Sequence, residues 1–128
     1  MKEKLDAVQA FHEAFGLGVR HTPEANLGRD KNLLRYELMR EENEEYLEAA
    51  ENGDLVEVAD ALGDMLYILC GTMLEHGMQS KIDEVFEEIQ RSNMSKLGAD
   101  GKPIYREDGK VLKGPNYFKP NIAGILEK

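Results

Sequence analysis

Residues 37–77 read ELMREENEEYLEAAENGDLVEVADALGDMLYILCGTMLEHG. Two long periodic runs meet at Asn52-Gly53-Asp54, a joint short enough to force the chain to double back. Asp54 is a residue type that accepts hydrogen bonds from the first turn of a helix, so a helix should begin at Leu55. Gly77 tolerates the left-handed backbone that ends one. The pattern predicts a helix from about Asp30 or Asn32, either of which could cap it, to Glu51. A second runs from Leu55 to His76, antiparallel and adjacent to the first.

The acids on these two helices depart from simple amphipathicity. At ~100° per residue, Glu37, Glu41, Glu44 and Glu48 share one solvated arc. Glu42 and Glu45 fall instead with Leu34, Leu38 and Ala49, and Glu41 lies at the border. The next helix is apolar nearly all round, which predicts that it is mostly buried. Its acids, Glu57, Asp60, Asp64 and Glu75, lie within ~60° of arc, with Gly71 on the same stripe. Carboxylates turned toward a neighbouring helix are costly and crowd one another unless their charge is offset. A hard divalent cation offsets it, and magnesium takes carboxylate, water and phosphate oxygens. Either stripe alone reads equally well as a solvated edge. Both together, on helices forced to be neighbours, favour a metal site.

The rest of the 128 residues is enough to complete one domain, 1–128, but not a second. A short amphipathic helix is expected at Leu5–Phe15, then a loop over 16–29 rich in Gly, Asn and His. Ser80 should cap a fourth helix reaching about Leu97. The helical core thus spans about 4–97, succeeded by an irregular tail, 98–128. Asp108-Gly109 within IYREDGKVL could turn a small hairpin. Ile104, Tyr105, Val111, Leu112, Tyr117, Phe118 and Ile122 suggest that the tail packs on the body. The fold class is therefore all-α, an antiparallel bundle of four to five helices with a C-terminal tail.

Charge is divided unevenly within a net of −9: residues 1–90 carry 8 Lys and Arg against 21 Asp and Glu, and residues 91–128 carry 8 against 4. An acidic body suits a cation, and a basic tail suits an anionic ligand. The acidic total argues against a nucleic-acid polymer as partner. The apolar run Leu55–Leu74 is broken by Glu57, Asp60 and Asp64, which argues against a membrane span. The N-terminus lacks a signal-peptide pattern, so a cytoplasmic location is expected. Cys70, the one cysteine, excludes an internal disulfide and is expected to be buried. His12, His21 and His76 lack metal-ligand spacing and read as surface or capping residues. No Walker-type phosphate loop and no Ser–His–Asp signature is present.

Taken together, REENEEYLEA (40–49), ADALGDMLYIL (59–69), SNMSK (92–96) and DGKVLKGPNYFKP (108–120) resemble the all-α nucleotide pyrophosphohydrolase superfamily, the MazG-like and phosphoribosyl-ATP pyrophosphohydrolase-like proteins. The resemblance runs from about Phe11 to Pro120. Its pattern, Glu-Glu-x-x-Glu and then Glu-x-x-Asp, is met by Glu41, Glu42, Glu45 and Asp64. The first acid of the second half falls on Ala61, and Asp60 or Glu57 would have to substitute.

The resemblance implies hydrolysis of a nucleoside triphosphate between its α- and β-phosphates, with Mg²⁺ (or Mn²⁺) as cofactor. It implies metal ligands among Glu42, Glu45, Asp60, Asp64 and Glu57, and catalytic roles for Glu41 and Glu42, with Glu41 activating water. Arg91, Asn93, Lys96, Lys110, Lys113 and Tyr117 would bind the substrate. A homodimer or homotetramer is also implied. Phosphoribosyl-ATP hydrolysis, or a non-catalytic helical dimer that binds nucleotide or a partner, are the alternatives.

Overall fold

The computed structural model describes every residue from Met1 to Lys128. Five helices succeed one another: α1 (Lys2–Ala14), α2 (Arg29–Glu51), α3 (Leu55–His76), α4 (Ile82–Met94) and α5 (Ile122–Leu126). The only strand-like pairing is a single antiparallel bridge between Tyr105 and Val111, around the Asp108-Gly109 turn. The all-α expectation and the small hairpin are both met. The chain forms two compact units, Met1–Ser80 and Lys81–Lys128.

In the first unit α3 is the central helix, packed on α2 and on α1. The α2–α3 joint behaves as its residues dictate. Asp54 accepts from the backbone N–H of Glu57 at 3.2 Å, and Gly77 closes α3 with φ 72°. A side chain at Gly77 would strike the carbonyl of Thr22 as well as strain the backbone. The loop between α1 and α2 seals the same end of α3. Arg20 N–H donates to Leu74 O and Glu24 N–H to His76 O, each at 2.9 Å. His76 Nδ1 returns a hydrogen bond to Glu24 O at 2.8 Å. The core is small: Leu5 and Val8 of α1, Ala49 of α2, and Ala61, Cys70 and Leu74 of α3.

Three expectations for the long helices and their caps fail. The start of α2 is Arg29, preceded by Gly28 (φ 97°), with no side-chain cap. Asn32 accepts instead from Leu27 N–H, outside the helix. Ser80 does not cap α4, whose preceding residue is Lys81, again without a capping side chain. Most importantly, α3 is not buried all round. Leu55 and Val56 are 79% and 75% exposed, and Leu62, Leu66, Tyr67 and Leu69 are also exposed. Within its unit only α1 and α2 pack on this helix, too few to cover one that is apolar on every side.

In the second unit, α4 carries the SNMSK motif at its end. Ser92 is buried and donates to Phe118 O at 2.8 Å, while Ser95 Oγ accepts from Phe118 N–H at 3.1 Å. The motif's two serines thus hold the YFKP segment of the tail, and α5 packs on α4 with Ile125 buried. The hairpin does not pack as expected: Ile104, Tyr105, Val111 and Leu112 are exposed. No helix is long and apolar enough to cross a membrane.

Candidate active site

The antiparallel contact of α2 and α3 forms one seam, and its two ends differ in charge. At the end toward the start of α2, the acid on α3 is Glu75. It is buried, at 4% exposure, and paired by Lys31 Nζ at 3.2 Å and Arg35 Nε at 3.6 Å. The structure therefore removes Glu75 from the expected open acidic stripe. At the other end stand Glu42, Glu45, Asp60 and Asp64, and no basic side chain forms an ion pair with any of them.

Glu42 lies at the centre of this second group. It is half-buried, and its Oε2 is a buried oxygen with no hydrogen-bond partner. Burial pushes its carboxyl above the ordinary carboxylate range. The close approach of the Glu45 carboxyl acts in the same direction, and so do the charges of Glu45, Asp64 and Asp60. Glu42 binds its proton more tightly because little water reaches its inner oxygen and because like charges surround it. The four acids are supplied at helical spacing, Glu42 with Glu45 on α2, and Asp60 with Asp64 one turn apart on α3.

Ala61, where the superfamily pattern would place an acid, is buried at 2% exposure. Asp60, one residue earlier, is exposed and acts on Glu42. Glu57 is exposed and lines an adjoining cavity of about 230 Å³ with Glu45, Glu48, Asp54 and Asp60. The structure therefore joins Asp60 to the Glu42 group and sets Glu57 one turn further along. Glu41 is exposed on the same turn of α2 as Glu42. Glu37 and Glu44 of the solvated arc are tied to Arg40, at 2.6 and 2.7 Å.

Carboxylate oxygens alone make up this group, which is the donor set of a hard divalent ion. The unpartnered Oε2 of Glu42 supplies an acceptor already aimed inward. As the side chains stand, no three His, Cys, Asp or Glu converge on one point that would hold an ion. Ion binding would draw the carboxylates together and displace any proton that Glu42 retains. The residues present therefore fit such an ion chemically, with side-chain rotation required.

The expected substrate-binding residues all belong to the second unit. Gly114 N–H donates to Lys96 O at 2.8 Å, and a Cβ on Gly114 would strike Leu97 O, so the tail crosses closely over 96–97. Lys113 Nζ lies 4.8 Å from the Tyr117 ring centroid, and Arg91 lies 5.2 Å from that of Phe118. Arg91 also pairs with Glu88 at 3.2 Å. Asn93 is exposed at the end of α4. Lys110 is exposed on the hairpin, where its backbone N–H donates to Asp108 Oδ1 at 3.1 Å.

One polar group escapes a reading of the sequence. His12 is buried, at 2% exposure, and its Nδ1 donates to Gly18 O at 2.8 Å; it is neither a surface nor a capping residue. It meets Arg35 across Gly71, where a Cβ would lie 2.7 Å from His12 Nε2 and 2.8 Å from Arg35 Nη2. The signal in the sequence is Arg35 itself, which shares the apolar arc of Leu38 and Ala49 on the ~100° wheel. Cys70 is buried as expected, and burial pushes its thiol pKa up.

The chain resembles known proteins over nearly all of this arrangement. A family profile described as phosphoribosyl-ATP pyrophosphohydrolase matches residues 8–93, which include the whole α2–α3 seam. No curated protein matches the chain. Among solved structures, the chain is similar to a protein of Exiguobacterium sp. 255-15 provisionally assigned as an NTP pyrophosphohydrolase. The two share 26% identity with a TM-score of 0.52, over 97% of this chain and 94% of the other. The match over most of its length and over all of its acidic seam shows that this chain belongs to the phosphoribosyl-ATP pyrophosphohydrolase family, whose members are pyrophosphohydrolases of all-α fold.

Proposed function

We propose that the protein is a magnesium-dependent nucleoside triphosphate pyrophosphohydrolase. Water is added across the α–β anhydride, giving a nucleoside monophosphate and pyrophosphate, as a means of clearing non-standard or surplus nucleotides in the cytoplasm. The observation that carries this reading is the unequal seam. Protein cations neutralise Glu75 at one end, whereas Glu42, Glu45, Asp60 and Asp64 stand without any, and burial together with their crowding raises the pKa of Glu42.

Each residue then has its own task. Glu42, Glu45, Asp60 and Asp64 hold Mg²⁺, with Mn²⁺ a workable substitute, and Glu57 is held in reserve beside them. The ion supplies charge neutralisation at the phosphate oxygens and at the leaving group. Glu41 lies outside the ligand set and orients or deprotonates the attacking water. Arg91, Lys96, Lys110 and Lys113 take the outer phosphates, with Asn93 and Tyr117 at the sugar or base. A homodimer or homotetramer covers the apolar side chains that one chain leaves exposed on α2 and α3.

Phosphoribosyl-ATP is the second reading for the substrate, supported by the description of the family profile. One experiment separates the possibilities: pyrophosphate release measured with Mg²⁺ over a panel of nucleoside triphosphates and phosphoribosyl-ATP. Turnover of one or more triphosphates supports the proposal, and turnover of phosphoribosyl-ATP alone moves it to the second reading. No turnover of any, with no metal-dependent thermal shift, would make the protein a binding module in which Ala61 marks a lost site.

A further inference from the structure

The buried end of the seam has a task beyond its own packing. Arg35, 10% exposed in its side chain, crosses from α2 and grips α3 at three places. Its Nη2 donates to Ile68 O at 2.8 Å, its Nε donates to Thr72 Oγ1 at 3.0 Å, and its guanidinium pairs with Glu75. Thr72 Oγ1 in turn donates to the same Ile68 carbonyl at 2.9 Å. Lys31 holds the other oxygen of Glu75. Room for this cluster is made by two glycines. A Cβ at Gly18 would lie 2.7 Å from Glu75 Oε1, and one at Gly71 would press on both His12 and Arg35. His12 Nδ1 must carry its proton, since the Gly18 carbonyl can only accept, and so α1 and the loop after it are tied into the same junction.

A buried ion pair is a weak device for stability, because desolvation offsets most of its attraction. Its best-attested use is to fix register, since a slipped arrangement strands buried charges without partners. Grips at Ile68, Thr72 and Glu75 span two turns of α3, which sets both the axial position and the rotation of α2. The far end of the seam needs this. The Asn52-Gly53-Asp54 turn joins the two helices there and Ala49 and Ala61 are buried, but its four acids repel and Leu47, Leu55 and Val56 are exposed. Arg35 is seven residues from Glu42, on the same face of α2 and about 10.5 Å along it.

We propose that Arg35, with Glu75 and Thr72, is a positioning element. It fixes the register of α2 against α3 and thereby the spacing of Glu42 and Glu45 from Asp60 and Asp64 for a divalent cation. The inference rests on the reading of those acids as a metal site.

The test is Mn²⁺ binding without nucleotide, monitored by the electron paramagnetic resonance signal of the free ion, with thermal unfolding measured in parallel. In the double variant R35M/E75L the buried pair becomes apolar at similar volume, a change that stability commonly tolerates. Mn²⁺ affinity is expected to fall about tenfold or more while the unfolding temperature holds. Thr72→Val removes one grip only and is expected to weaken Mn²⁺ about threefold. Wild-type affinity in a folded double variant would overturn the inference. Should the double variant fail to fold, Thr72→Val decides in its place, and wild-type affinity there overturns it equally. Absence of Mn²⁺ binding by the wild-type protein would instead remove the metal site itself, and the inference with it.

Discussion

Glu42 has three acids for neighbours and one oxygen without a partner. Its folded-state pKa is raised from the usual 4.5, so the folded protein favours the protonated form. The stability this contributes is present below pH 4.5 and is lost as pH rises through the raised value. Metal-free wild type should therefore lose stability relative to Glu42→Gln as pH rises from the acid range to neutrality. Thermal scans in chelator are expected to place Glu42→Gln above wild type at pH 7. Mg²⁺ should raise the wild type and not the variant. A wild-type curve that rises from pH 5 to pH 7 in step with the variant would show that Glu42 is not crowded. Sequence alone marks Glu42, because a glutamate on an apolar arc is anomalous. It does not distinguish Asp60 from Glu57, which share a stripe and differ only in how close they come to Glu42. Arg35, Glu75 and His12 are harder still. They are residue types usually found at the surface; the wheel marks Arg35 as anomalous on an apolar arc but not its partners, which lie 33 to 40 residues away.

Among the helices, the α2–α3 hairpin is legible because short-range chemistry defines it. Asn52-Gly53-Asp54 can only reverse the chain, and Asp54 caps α3. Asp54→Ala should lower stability by about 1 kcal/mol, the usual effect of losing an N-cap, read from a denaturant midpoint with unchanged slope. An unchanged midpoint would mean that the cap bond at Glu57 contributes nothing in solution. The starts of α2 and α4 escape for a related reason: neither uses a side-chain cap, so capping propensity points to Asp30, Asn32 and Ser80 instead. The SNMSK segment is recognisable as a motif, but its internal division of labour is not. Ser92 and Ser95 hold the tail at Phe118, leaving Asn93 and Lys96 free for another task. Ser92→Ala should leave the Phe118 carbonyl without its donor and loosen the tail. Faster hydrogen exchange over residues 114–121 than in wild type is the expected readout, and unchanged exchange would refute the clamp.

For the molecule as a whole, α3 reads as too apolar for a small four-helix monomer to hide, and within its unit only α1 and α2 pack on it, with Leu55, Val56, Leu62 and Leu66 exposed. The same residues carry the expectation of self-association. Light scattering coupled to size-exclusion chromatography should give a mass of two or four times 14.5 kDa, and a Leu55→Glu/Val56→Glu variant should shift it downward. A monodisperse 14.5 kDa species at micromolar concentration would contradict the oligomer. Everything proposed for the function depends on the unpaired acids of the α2–α3 seam carrying α–β cleavage with a divalent ion. The decisive experiment is ³¹P nuclear magnetic resonance of a nucleoside triphosphate turned over with Mg²⁺ by wild-type, Glu42→Gln and Asp64→Asn proteins. Wild type is expected to convert the triphosphate signals to those of a monophosphate and pyrophosphate, with each variant slowed at least about a hundredfold while still folded. Orthophosphate and diphosphate as the first products, or full activity in either variant, would contradict that mechanism.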